Sequence, residues 1–164
     1  MKKFFLAIAL CMASIAAFGQ LNFGNQGSGI KVTSFFKDPF CEVCLNKSEQ
    51  YVLKCNDFET KAGFELFLGD SKESAMTSLE QLDAWCNNAQ VKDFIEVNQA
   101  DGSVVLLYLY KDDQLIMSYG DIEYAKAKFA SLTSRKKFEG QTFPFGYVMR
   151  KTFGKALEKL KSVK

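Results

Sequence analysis

The sequence predicts an α+β fold, a mostly antiparallel sheet of about five strands with helices packed on one face. Residues Gly63 to Tyr119 carry most of this expectation, because they read in order as a strand, a helix and three closely spaced strands. The turns between those strands are hairpin-short, whereas a parallel sheet needs long crossovers. A chain of 164 residues with 48% hydrophobic side chains and 16 phenylalanines can bury one sizeable core, so residues 20–164 are expected to form a single domain.

Gly63 to Gly69 alternates, with Phe64, Leu66 and Leu68 on one face and Glu65 on the other, as a half-buried strand does. Asp70-Ser71-Lys72-Glu73 then has the form of a capping box. The helix it opens places Met76, Leu79, Leu82 and Cys86 on one stripe, with Trp85 beside it, and is expected to stop near Asn87-Asn88. Lys92 to Asn98, Val104 to Tyr110 and Gln114 to Tyr119 supply strands, joined through turns at Ala100-Asp101-Gly102 and Asp112-Asp113. Val104 to Tyr110 is apolar on both faces, which suits an inner strand.

Earlier in the chain, Gln20 to Gly29 lacks periodicity and reads as a flexible lead-in, followed by a strand over Ile30 to Lys37. Asp38-Pro39 breaks that strand and starts a loop carrying Phe40, Cys41 and Cys44. Glu49 to Asn56 alternates again, with Tyr51, Leu53 and Cys55 inward. Beyond Gly120, Asp121 caps a helix to Leu132 with Ile122, Ala125, Phe129 and Leu132 at helical spacing. Pro144 and Gly146 introduce a last helix, Tyr147 to Ser162, whose apolar stripe of Met149, Phe153, Ala156, Leu157 and Leu160 lies opposite a basic face. No internal repeat is visible.

Residues 1–19 read as a signal peptide. Lys2 and Lys3 form a positive start, Phe4 to Ala17 is apolar, and Ala17-Phe18-Gly19 fits a small-x-small cleavage rule before Gln20. The expected location is therefore periplasmic, outer-envelope or secreted. A lipid anchor at Cys11 is disfavoured by the bulky Leu10 before it. The apolar run falls short of the roughly 18 residues of a spanning helix, so no transmembrane segment is expected after cleavage.

Four cysteines then remain, Cys41, Cys44, Cys55 and Cys86, and an exported chain with an even number favours two disulfides. The expected pairs are Cys55 with Cys86, both inward, and Cys41 with Cys44. The same Cys-x-x-Cys pair carries the thiol-active alternative, although it follows a Pro-containing break and leads into a strand, unlike a redox pair at a helix start. A four-thiolate metal site is permitted by spacing and opposed by oxidation.

Charge is uneven. Gln20 to Gly120 holds 8 basic and 15 acidic residues, and Asp121 to Lys164 holds 11 basic and 4 acidic ones. This points either to a basic helix lying on an acidic domain or to an anionic surface met by Arg150, Lys151, Lys155, Lys159 and Lys161. The absence of histidine excludes His-based acid–base and nucleophilic chemistry and His-ligated metals. Asp101, Asp112 and Asp113 sit where turns attract aspartate for conformational reasons. Among the aromatics, Phe35, Phe36, Phe40, Trp85, Phe138, Phe143 and Phe145 are expected to pack, with Phe143-Pro144-Phe145 a natural place for an exposed patch. The function expected is a non-enzymatic binding protein of the envelope or secreted fraction, with a partner protein or envelope component and with neither cofactor, metal nor nucleic acid; the rival class is a thiol-active or hydrolytic enzyme using Cys41, Cys44 or acidic residues.

Overall fold

The computed structural model describes residues 33–163. The signal segment 1–19, the lead-in 20–29 and the start of the first expected strand, Ile30 to Val32, lie outside these residues.

The fold is α+β, with two antiparallel sheets of four strands and three helices among the described residues. The first sheet runs β1 (Ser34–Lys37), β2 (Cys41–Leu45), β3 (Tyr51–Asn56) and β4 (Gly63–Gly69), and helix α1 (Lys72–Asn88) follows. The second runs β5 (Phe94–Asn98), β6 (Val104–Lys111), β7 (Gln114–Tyr119) and β8 (Phe145–Met149); α2 (Ile122–Ser134) lies between β7 and β8, and α3 (Thr152–Ser162) closes the chain. Both sheets pair their strands in chain order, but the second has α2 inserted before its last strand. The expectation of one sheet of about five strands is corrected: Cys41–Leu45 is a strand and not a loop, and the last helix begins at Thr152 because Phe145–Met149 pairs with β7.

Both sheets turn one face to a shared core. Val43, Leu53, Phe64, Leu66 and Leu68 from the first sheet meet Ile95, Val97, Val105, Leu107, Leu109, Leu115, Met117 and Val148 from the second. Leu79, Leu82 and Cys86 of α1 and Phe153, Ala156 and Leu160 of α3 complete it. Alternation on β5 shows the pattern at its cleanest, with Ile95 and Val97 buried and Phe94, Glu96 and Asn98 exposed. The cap of α1 is one residue later than its sequence suggests. Ser71 accepts from the Ser74 amide and donates its own amide to the Ser74 hydroxyl, so serine fills both roles expected of Asp70 and Glu73.

Specific polar groups fasten the two sheets to each other. Asp57, after β3, accepts from the Phe145 amide at 2.9 Å, and the Phe58 amide donates to the Phe145 carbonyl at 2.8 Å. Gly146 makes this approach feasible, since a Cβ there would lie 2.8 Å from the Asn56 carbonyl oxygen. Tyr119 donates its hydroxyl to the Glu65 carbonyl at 2.9 Å, and Gln99 accepts from the Phe67 amide at 2.8 Å. Among the described residues no helix is long and apolar enough to cross a membrane.

Candidate functional site

Helix α2 covers only part of the outer face of the second sheet, and a cleft opens at each of its ends. Beyond its N-terminus lies an apolar groove of about 560 Å³, open to solvent and lined by Glu96, Ser103, Val104, Tyr119, Gly120, Asp121, Phe143 and Pro144. Four chain segments build it. Val104 opens β6 on the part of the outer face that α2 leaves bare, Glu96 is one of the exposed outer residues of β5, Tyr119 ends β7, and Phe143-Pro144 leads into β8.

The groove walls are held by hydrogen bonds that need no ligand. The Tyr124 hydroxyl donates to the Phe143 carbonyl and accepts from the Phe143 amide, both at 2.8 Å, so one side chain fixes the loop from both ends of the residue. Burial, the largest influence, pushes the Tyr124 hydroxyl above the usual tyrosine range and keeps it a donor. Tyr119 donates its amide to the Pro144 carbonyl. Gly120 adopts φ +95°, a conformation that strains other residues, and a Cβ there would come within 3.1 Å of the Phe143 ring and press on it. Asp121 caps α2 through the Tyr124 amide at 2.7 Å. With Glu96, it gives the groove an acidic rim.

The cleft at the other end of α2 has the opposite sign. Its volume is about 520 Å³, with Glu59, Lys128, Arg135, Lys136 and Lys137 among its lining residues and Phe138 in its wall. Lys128 is 3% exposed, with its ammonium 2.7 Å from Glu59 and over the Phe138 ring. Among the described residues, Arg135, Lys136 and Lys137 have no carboxylate within 4.0 Å. Acid at the start and base at the end of α2 also suit its dipole.

The predicted basic face of the last helix divides into three roles. Arg150 turns inward: its guanidinium donates to the carbonyls of Cys86 at 2.8 Å, Ala89 at 2.8 Å and Asp112 at 3.0 Å, closing the C-terminus of α1 and the β6–β7 turn. Lys161 pairs with Glu80 at 2.8 Å. Lys151, Lys155 and Lys159 form an exposed stripe without carboxylate partners among the described residues.

The cysteines are not arranged as the sequence suggests. All four described ones are free and buried, so the pairs Cys41–Cys44 and Cys55–Cys86 are absent. The reason for the first is strand geometry: residues three apart on β2 project from opposite faces, and Cys41 joins the core while Cys44 faces outward beside Glu42, Lys54 and Glu65. The four sulfurs therefore cannot gather on one metal. Burial, followed by the Glu42 and Glu65 carboxylates, pushes the Cys44 thiol up to about 11, and burial pushes Cys86 up to about 12 although Arg150 opposes it. Cys41 moves in the same direction, chiefly through Cys55 beside it and then through burial. These surroundings disfavour the thiolate that redox or nucleophilic cysteine chemistry needs.

Of the aromatics singled out from sequence, Phe143 lines the apolar groove and Phe138 the basic cleft, whereas Phe145 is fully buried. Phe35 stacks on Tyr51, and Phe40 meets Tyr147 edge-on. Asp101 serves its own turn by accepting from the Ser103 amide and hydroxyl. Val104, Tyr119 and Glu96 carry no sequence signal for a site, since their grouping depends on strand register and on where α2 stops. No protein-family model matches the chain, and no curated protein or solved structure is similar to it at the level compared.

Proposed function

We propose that the protein is an exported, non-enzymatic binding domain whose groove between β5, β6 and the Phe143-Pro144 loop receives a partner protein. The ligand is an apolar side chain next to a basic residue. The observation that carries this reading is the pairing of an apolar, braced wall of Val104, Tyr119, Phe143 and Pro144 with the carboxylates of Glu96 and Asp121. Apolar area supplies the affinity, and the acidic rim selects against acidic neighbours. Selection of random peptides on the wild-type protein should enrich Leu or Phe adjacent to Lys or Arg. Selected peptides should bind Tyr124→Phe, which loses both bonds to Phe143, at least about threefold more weakly, and Glu96→Lys about three- to tenfold more weakly. Enrichment of acidic peptides, or equal binding by Val104→Lys, would sink the reading.

A second reading is favoured by the cations without carboxylate partners among the described residues. Arg135, Lys136 and Lys137 in the cleft, or Lys151, Lys155 and Lys159 on α3, would meet an anionic surface. Replacing each trio by Gln and measuring sedimentation with anionic phospholipid vesicles at low and high salt separates them. A strongly salt-dependent association lost with one trio supports that site; no association by the wild type at low salt removes both.

A further inference from the structure

We infer that Cys41 and Cys55 are a crosslinking pair, joining in an oxidising compartment into one cross-strand cystine between β2 and β3, while Cys44 and Cys86 remain thiols. The compartment is taken from the export reading; the pairing is taken from the fold. Cys41 and Cys55 are direct partners in the antiparallel ladder and share its inner face. Directly opposed residues in such a ladder have Cα atoms about 4.5 to 5.5 Å apart. Natural cystines span roughly 4.4 to 6.8 Å, so either kind of cross-strand pair falls inside the window without backbone movement.

The remaining pairings lack this fit. Cys41 and Cys44 are three residues apart on one strand, roughly 10 Å at ~3.3 Å per residue, and face opposite ways. Across the ladder Cys44 meets Ser34 and Val52, and neither can crosslink it. Cys86 lies on α1, outside the β2–β3 ladder, whereas Cys41 and Cys55 face each other within it.

Asp38 gives the pair a chemical setting. Both of its oxygens lie 3.4 Å from the Cys41 sulfur; the amides of Phe40 and Cys41 hold it within the β1–β2 turn, and the Thr152 hydroxyl joins them once α3 has docked. A carboxylate there, like burial, opposes a thiolate on Cys41 in the finished fold, so the sulfur reacts before that setting is complete. The reaction is exchange with a disulfide-bearing oxidant, small or carried by another protein. Cys55 loses its proton to solvent and its sulfur attacks the oxidant, giving a mixed disulfide and releasing one thiolate. Cys41 then loses its proton to solvent, and its sulfur attacks the Cys55 sulfur, releasing the second thiolate. Two S–H bonds are exchanged for one S–S bond, and the oxidant leaves as two thiols that take up the two protons. Cys55 in the finished fold lies beneath the Tyr147 carbonyl, so the exchange belongs to the stage when the β2–β3 hairpin has formed and β8 has not yet covered it.

The test is refolding of residues 20–164, the exported form with its four cysteines, in a buffer of oxidised and reduced glutathione, then unfolding in an alkylating maleimide and mapping of peptides without reduction. The expected product joins the Cys41 and Cys55 peptides, with Cys44 and Cys86 alkylated. Cys55→Ser should leave Cys41 alkylated, and Cys86→Ser should leave the crosslink intact. A dominant crosslink to Cys44 or Cys86, or alkylation of all four, overturns the pairing. The same map on protein from its native host distinguishes the two premises: a crosslink formed in the buffer but missing from a host product that keeps residues 1–19 contradicts export and leaves the pairing standing.

Discussion

Asp57→Ala is expected to lower stability by about 3 kcal/mol. The Asp57 carboxylate accepts from the amides of Glu59 at 3.1 Å, Thr60 at 2.7 Å and Phe145 at 2.9 Å, and from the Thr60 hydroxyl at 2.8 Å. Glu59 and Thr60 are exposed and can turn to water. Phe145 is fully buried, so its amide loses its partner outright, and most of the expected cost comes from that one donor and from release of the β3–β4 turn from β8. Asp57→Asn keeps an oxygen for one side of the network but offers an amino group to the other, and should fall between the two.

The same carboxylate gives a pH dependence. Burial alone would raise its pKa, but the amides of Thr60 and Phe145, the Thr60 hydroxyl and the Glu59 amide outweigh burial and hold it below the ordinary aspartate value. A depressed folded pKa means that the unfolded chain binds the proton more readily. The contribution is therefore complete above about pH 4, the unfolded value, and is lost as pH falls further through the folded value. Urea unfolding of wild type and Asp57→Ala at pH 7 and pH 3 measures it. The gap between the two should narrow at pH 3, and a constant gap would show that ionisation of Asp57 has no part in stability.

Arg150→Met should cost about 2 to 3 kcal/mol, whereas Lys151→Gln, Lys155→Gln and Lys159→Gln should each stay within about 0.5 kcal/mol of wild type. Helix α1 has no basic residue in its last turn, so the guanidinium from the residue after β8 supplies the positive charge and the donors that its terminal carbonyls lack. Arg150→Lys keeps the charge but cannot reach three carbonyls at once, and should recover only part of the loss. Denaturant midpoints at constant slope decide it. If Arg150→Met proves as mild as the lysine variants, the clamp is an accessory contact rather than a cap.

Much of the fold was legible where the local pattern and the turn chemistry agreed. The alternation of Gly63–Gly69, the helix ending at Asn88, the turns at Gly102 and at Asp112-Asp113, and the cap at Asp121 all lie where local rules put them. Two short strands escaped. Cys41–Leu45 follows a proline and carries a motif that draws attention to chemistry instead of pairing, and Phe145–Met149 shares Met149 with a run that continues the spacing of the helix after it. Without those strands the remaining pattern fills one sheet, and nothing local says that α1 carries the chain from one sheet to the other. Cysteine pairing failed for the same reason, since Cys41 meets Cys55 only once β2 is a strand. Of the groove, only the Phe143-Pro144 loop gave a signal; Val104, Tyr119 and Glu96 come together through register. Arg150 looked like one more base on an amphipathic helix, because its carbonyl partners lie more than 35 residues away.

The groove is tested most directly by amide chemical-shift mapping with two short peptides, one carrying Leu-Phe between lysines and one carrying the same pair between glutamates. With the lysine peptide, shifts should concentrate at Val104, Tyr119, Gly120 and Phe143, saturate with concentration and weaken in Glu96→Lys. The glutamate peptide should shift the same amides far less. Shifts gathered instead at Arg135 to Phe138 or along α3, or equal responses to the two peptides, would contradict the assignment of this groove as the binding site.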